Sequence, residues 1–164
     1  MAEVIRPFRL MDAQATRDVF VRAVRDGAAP LYSAAEIAVW LGDPVMPEGW
    51  GDWLAGHITF VAEDWGRITG FMMLERDGYL NMAFVLPEVM GTGTADRLYA
   101  EILAAARALD LPRLTVFASR HARRFFARHG WRPDRMLALP EGMERALTEG
   151  DNPITMGMVL EVEP

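Results

Sequence analysis

The spacing of apolar and polar positions changes period along the chain, and the changes divide it into elements. Residues 4–10 (Val-Ile-Arg-Pro-Phe-Arg-Leu) read as a short edge strand, because Pro7 lacks the N–H that a central ladder needs. Asp12 predicts a helix cap, followed by Val19, Phe20, Ala23 and Val24 at helical spacing and a stop near Gly27. Ser33 with Glu36 is a capping box; it opens a second helix through Ile37, Trp40 and Leu41 that closes at Gly42 and Pro44. Residues 43–56, with Trp50 and Trp53, read as turns. The pattern then shifts to strands over 57–63, 67–76 and 79–86, with Asp77-Gly78 as a two-residue hairpin signal between the last two. Beyond Pro87, a Gly-containing segment leads into a helix with Leu98, Ile102, Ala105 and Leu109 on one face, ended by Pro112. A strand over 113–118, a short helix over 120–129 and a last strand over 154–162 follow. No internal repeat is visible. The order predicts an α+β fold, a single mixed, mostly antiparallel sheet flanked by helices, in one domain over residues 1–164.

Composition narrows the chemistry. The 164 residues carry 17 basic and 23 acidic side chains, a net charge of −6, which argues against a protein that wraps nucleic acid through its phosphates. All the basic residues are Arg. Without Lys there is no Schiff base and no P-loop; without Cys there is no disulfide, thiolate metal site or Cys nucleophile. His57, His121 and His129 lack metal-ligand spacing, so no metal is expected. No signal-like N-terminus and no apolar run of membrane-spanning length is present, so a cytoplasmic protein without membrane association is expected.

The segment that carries chemistry is a strand, a Pro turn, Gly91-Thr92-Gly93-Thr94-Ala95 and a helix start. Glycines there let successive backbone N–H groups face one concavity, and the helix adds the positive end of its dipole, which suits a diphosphate. Asp96 stands where a dinucleotide fold wants another Gly, and a carboxylate in that first turn opposes a phosphate. A glycine turn without a ligand is the alternative reading of the same residues.

Residues 83–98, Ala-Phe-Val-Leu-Pro-Glu-Val-Met-Gly-Thr-Gly-Thr-Ala-Asp-Arg-Leu, resemble the acyl-CoA pyrophosphate motif of the GNAT superfamily of N-acetyltransferases, Gln/Arg-x-x-Gly-x-Gly/Ala after a strand ending Val-x-Pro. Gly93 and Ala95 match the small positions, and Met90 replaces Gln or Arg. Ser119 to Trp131 resembles the second signature, Asn-x-x-Ala-x-x-x-Tyr with a following Gly-aromatic pair, and the order of elements matches over nearly the whole chain. The resemblance implies acetyl-CoA as cosubstrate, held by Phe84, Val85, Met90, Gly91, Thr92, Gly93, Thr94, Ala95, Ser119, Ala122, Phe125 and Phe126. It implies a backbone N–H at Val85 facing the thioester oxygen, and an acceptor amine near Tyr32, Trp40, Tyr79 and Asn81. Trp50 and Trp53 are further candidates for the acceptor side, and core packing is the alternative for Trp40.

Two departures bear on mechanism. Ser119 replaces the Asn that bonds the pantetheine arm, and Phe126 replaces the Tyr that protonates the leaving thiolate. A thiol pKa of about 8.5 lets a thiolate leave near neutral pH with little proton help. Tyr79 and Asn81 share a strand face by period two and neither is a base at neutral pH, so a water chain or a carboxylate such as Glu63 or Glu75 has to serve. His121 and His129 are assigned to the surface.

Charge is segregated. Between Arg25 and Arg67 stand seven acids (Asp26, Glu36, Asp43, Glu48, Asp52, Glu63, Asp64) and no Arg, while residues 113–135 hold seven Arg and only Asp134. A basic lobe suits a polyanionic nucleotide and an acidic one a small cationic amine; two solvated faces are the plain alternative. The expected activity is direct acetyl transfer from acetyl-CoA to an amine, with a catalytically weak acyl-CoA sensor or regulatory module as the alternative and a purely structural or nucleotide-binding domain behind it. A homodimer is left open.

Overall fold

The computed structural model describes residues 2–138 and 155–164. Seven strands form one sheet in the order β1-β2-β3-β4-β5-β7-β6: β1 (Glu3–Pro7), β2 (Ile58–Asp64), β3 (Arg67–Leu74), β4 (Tyr79–Val85), β5 (Arg113–Ser119), β6 (Arg132–Pro133) and β7 (Thr155–Glu161). Every neighbouring pair is antiparallel except β4 and β5. Helices α1 (Ala13–Arg22), α2 (Ala34–Leu41), α3 (Trp50–Ala55), α4 (Thr94–Ala108) and α5 (Ala122–Arg128) flank it. The mixed, mostly antiparallel sheet read from the sequence is the sheet observed.

Alternation in β3 supplies both faces. Met72 and Leu74 pack with Leu98, Tyr99, Ile102 and Ala106 of α4, whereas Phe71 and Met73 pack with Val19, Phe20 and Val24 and with Trp50 and Leu54 of α3. Each such side chain taken fully out of water contributes about 1.5–3 kcal/mol, so the sheet is clamped from both sides.

Several local expectations are corrected. Residues 50–55, read as turn, form α3, because Trp50 and Leu54 at i and i+4 bury one apolar stripe against α1. Asp12 precedes α1 but does not cap it with its side chain; the carboxylate accepts from Arg6 Nη1 and from the Arg9 N–H, each at 2.8 Å. The first helix continues through a π-helical turn, Ala23–Gly27. Leu109 lies beyond the end of α4 and is exposed, and the buried stripe runs instead through Thr94, Leu98, Tyr99, Ile102 and Ala106. The β3–β4 loop spans three residues, not two: the Glu75 N–H donates to Tyr79 O at 2.8 Å, and Gly78 closes the loop at φ +97°. A side chain at Gly78 would run into the Arg113 carbonyl, and Thr115 donates to Gly78 O at 2.9 Å, so this turn is seated on the start of β5.

That seat fixes one end of a cleft. The parallel strands pair only at Tyr79–Thr115 and Leu80–Val116, then part. Asn81 is an extra residue on β4, since Met82 faces Met73 and Leu80 faces Leu74. A bulge of this kind bends the strand that carries it, and it also resets the alternation: Leu80, Ala83 and Val85 face α4, while Met82 and Phe84 face α1.

Candidate active site

The parted strands open into two cavities that meet end to end. The first, about 240 Å³, runs from Met90, Gly91 and Ala95 past Val85 and Phe84 to Ser119 and Phe126. The second, about 260 Å³, is walled by Phe20, Tyr79, Asn81, Met82 and Phe117. Trp40, Ala83, Phe84, Ser119, Ala122 and Phe126 border both.

At the outer end of the first cavity, α4 begins without a side-chain cap after Gly93, whose φ is +90°. The first N–H with a helical partner is that of Arg97, donating to Gly93 O at 3.1 Å. By helix geometry the N–H groups of Thr94, Ala95 and Asp96 project from the end of α4, as a diphosphate cradle requires. The threonine side chains do not join in: Thr94 is buried and donates to Glu3 Oε2 at 2.8 Å, and Thr92 donates to Val89 O at 2.6 Å. Glu3 also pairs with Arg97, whose guanidinium holds it below the ordinary carboxylate range, so β1 braces this helix start. Asp96, read from the sequence as an unhelpful charge beside a phosphate, lies 3.0 Å from Arg128 Nη2, whose charge offsets it, and 2.8 Å from His129 Nε2.

Along the inner wall, Leu86 donates its N–H to Thr69 O of the β3 edge at 2.8 Å. Antiparallel alternation sends the N–H of Phe84 the same way and turns those of Ala83 and Val85 to the opposite edge. There β5 has moved off, so two strand donors face the cleft. The Val85 donor is the one the sequence names; the bulge and register reveal Ala83. Ser119 Oγ accepts from the Ala122 N–H at 3.2 Å, and Phe126 is buried where both cavities meet.

The second cavity is aromatic. Trp40 stacks near Phe84 at 6.2 Å, and Tyr79 meets Phe117 edge-on at 6.2 Å. Burial, followed by the charges of Glu75 and Asp77, pushes the Tyr79 hydroxyl up to about 12. It therefore stays protonated at ordinary pH and cannot act as a base there. Asn81 Nδ2 donates to Glu75 Oε2 at 2.8 Å, which places a carboxylate just behind the cavity wall. Glu63, the other carboxylate named from the sequence, is bound to Arg6 at 3.1 Å and lines neither cavity.

Other assignments move. Tyr32 lines neither cavity; its hydroxyl accepts the Arg120 N–H at 2.7 Å, and its ring lies 5.3 Å from Trp40, backing that side chain. Trp50 is core and donates to Thr16 Oγ1 at 3.1 Å, and Trp53 lies tilted against Trp50 and meets His57 edge-on. None of the seven acids between Arg25 and Arg67 lines either cavity. The two charged regions touch instead: Arg120 Nη2 pairs with Glu36 at 2.7 Å, its Nη1 donates to Leu31 O at 2.7 Å, and its guanidinium covers the Tyr32 ring. These bonds strap α2 across the end of β5. His121 lines the first cavity and so leaves the surface role read from the sequence; His129, half-buried, lies tilted between Tyr99 and Phe125.

One parallel pair parted inside an antiparallel sheet, with a helix N-terminus at its mouth, is the framework of the acyl-CoA-dependent N-acyltransferases. Residues 28–143 match the model of the acetyltransferase (GNAT) domain, and the chain belongs to that family. It is 31% identical over 127 residues to the uncharacterized N-acetyltransferase YafP of Escherichia coli (strain K12), covering 77% of this chain and 79% of that one. The fold is shared with a GCN5-related N-acetyltransferase from Rhodopseudomonas palustris (TM-score 0.79, 24% identity, 98% and 96% of the two chains). It is shared also with the PaiA N-acetyltransferase of Thermoplasma acidophilum, solved with coenzyme A (TM-score 0.73, 15% identity, 98% and 99%). Among the described residues no helix is long and apolar enough to cross a membrane.

Proposed function

We propose that this N-acetyltransferase passes an acetyl group from acetyl-CoA directly to a small cationic amine, with the first cavity holding the cosubstrate and the second the acceptor. The observation that carries the reading is the meeting of the two cavities at Ala83, Phe84, Ser119 and Phe126 beside unpaired strand donors. The N–H groups of Thr94, Ala95 and Asp96 take the diphosphate, and the β4 edge takes the arm. Ala83 borders both cavities and Val85 only the first, so the Ala83 N–H serves the thioester oxygen, where negative charge grows, and the Val85 N–H serves the arm.

The acceptor enters among Phe20, Tyr79, Met82 and Phe117. Glu75, held by Asn81, receives the ammonium proton through one intervening water. The neutral nitrogen then bonds to the carbonyl carbon as the carbon–sulfur bond breaks, and the second proton, left on the acylated nitrogen, passes to solvent water. The sulfur leaves as thiolate, which suits a wall where Phe126 has no proton to give. With no Cys in the chain, no acetyl-Cys intermediate forms.

Attraction for a cation comes from Glu75 and Asp77 at the turn before β4, both close enough to act on Tyr79. The test is the ratio of kcat/KM for a cationic and a neutral amine of similar size, with acetyl-CoA saturating, at two salt concentrations. The Debye length falls from about 10 Å at 0.1 M to about 3 Å at 1 M, so the cation preference is expected to shrink. Preference for an anionic amine, or a ratio indifferent to salt, overturns the acceptor assignment.

A further inference from the structure

Among the described residues the first cavity has one titratable side chain in its lining, and the reaction above leaves it without a role. Apart from the indole of Trp40, the polar side chains there are Ser119 and His121; the rest are apolar or glycine. Ser119 Oγ is already engaged by the Ala122 N–H. His121 Nε2 is buried and has no hydrogen-bond partner among the described residues. Its place is tightly set, because the backbone N–H groups on both sides are committed, Arg120 to the Tyr32 hydroxyl at 2.7 Å and Ala122 to Ser119 Oγ. A buried imidazole nitrogen left unpaired is costly, and such a group in a binding cavity is satisfied when its ligand arrives.

We propose that His121 is a cosubstrate-binding residue whose Nε2 hydrogen-bonds an amide of the pantetheine arm of CoA. The proposal rests on the assignment of the first cavity to acetyl-CoA. The wall that His121 shares with Ser119 and Phe126 departs twice from the family signature, losing an amide at Ser119 and a hydroxyl at Phe126. His121 returns a polar atom to that wall. An amide offers both a donor and an acceptor, so it matches a neutral imidazole in either tautomer, whereas the diphosphate end is already served by backbone N–H groups of α4.

The experiment is calorimetric titration of wild type, His121→Phe and His121→Gln with CoA, pantetheine and 3′,5′-ADP. It is paired with nitrogen-15 spectra of the imidazole rings in the wild type. His121→Phe is expected to weaken CoA and pantetheine by the same factor, about fivefold to tenfold, with 3′,5′-ADP unchanged and His121→Gln in between. In the wild type the His121 Nε2 resonance is expected to move on adding CoA. That of His57, whose Nδ1 lies 2.8 Å from Trp53 O outside both cavities, is expected to stay. Unchanged pantetheine affinity, equal weakening of all three ligands, or a stationary His121 signal overturns the proposal; where the Phe variant fails to fold, the wild-type spectra decide. Failure of CoA to bind the wild type overturns instead the assignment of the cavity.

Discussion

The proposed cosubstrate end of the cleft offers its polar atoms from backbone, and the proposed acceptor end is made of side chains. At the first, Gly91 and Gly93 at positive φ, the projecting N–H groups of α4 and the free edge of β4 present polar atoms that every residue type carries. At the second, Phe20, Trp40, Met82, Phe84 and Phe117 come from α1, α2, β4 and β5, and specificity depends on which side chains those elements deliver. A backbone site tolerates side-chain change except where a side chain fills the space or forbids the conformation. A side-chain site changes its ligand with each substitution and keeps its fold.

The strongest break of that contrast is Gly93→Gln. The position needs φ +90°, which a residue with a side chain rarely adopts, so the turn shifts and the cradle is lost; the added Cβ, 2.8 Å from Arg97 Nη1, asks only that this flexible guanidinium move. CoA affinity is expected to fall by at least about a hundredfold while the protein stays folded, read by calorimetry and circular dichroism, because one charge-assisted contact is worth roughly tenfold and several go together.

Next in size is Glu75→Gln, which removes the proposed proton acceptor and keeps a bond partner for Asn81. The acyl-transfer kcat/KM is expected to fall about a hundredfold, the size of a general-base contribution, with CoA affinity unchanged. Unequal losses at the two ends are the result that separates them; a parallel loss of CoA binding removes Glu75 from the acceptor side.

Phe126→Tyr probes the junction itself. A hydroxyl there stands near the leaving sulfur, and the transfer rate is expected to be unchanged or to rise severalfold, within the range of assisted proton transfer. A large fall with CoA affinity retained shows that an apolar wall is what the junction needs.

The smallest effect concerns the strap over the cleft. The Arg120 guanidinium beside Glu36, with help from the Ser33 N–H, lowers its carboxyl from 4.5 to about 2. A depressed folded-state value means the pair stabilises the fold above about pH 4.5 and loses that contribution as pH falls toward 2. Glu36→Gln is expected to have a slightly lower Tm than wild type above pH 5, with the two curves converging near pH 2; a constant difference removes the charge pair as the cause.

The sequence by itself determined the elements whose signals are local. The Ser33–Glu36 box, the strands and the glycine turn before α4 follow from neighbours a few residues apart, and the structure realises them with Ser33 and Glu36 each accepting the other's backbone N–H. The family follows from the same local segments, because the cosubstrate end is a backbone arrangement written in consecutive residues. Tertiary structure alone decided what stands at the proposed acceptor end and which carboxylate lies behind it. The bulge at Asn81 depends on the pairing of β3 with β4, and it shifts which residues share a face beyond the reach of a period-two reading. Asn81 and Glu75 meet only because a three-residue turn brings them together, and Glu63 is withdrawn by Arg6 from a different strand. His121 is ordinary in the sequence; burial in the cavity between two committed neighbours makes it a ligand candidate. Charge counts went astray for the same reason: an ion pair such as Glu36–Arg120 cancels charges 84 positions apart, and Coulomb's law acts on distance in space, which composition does not contain.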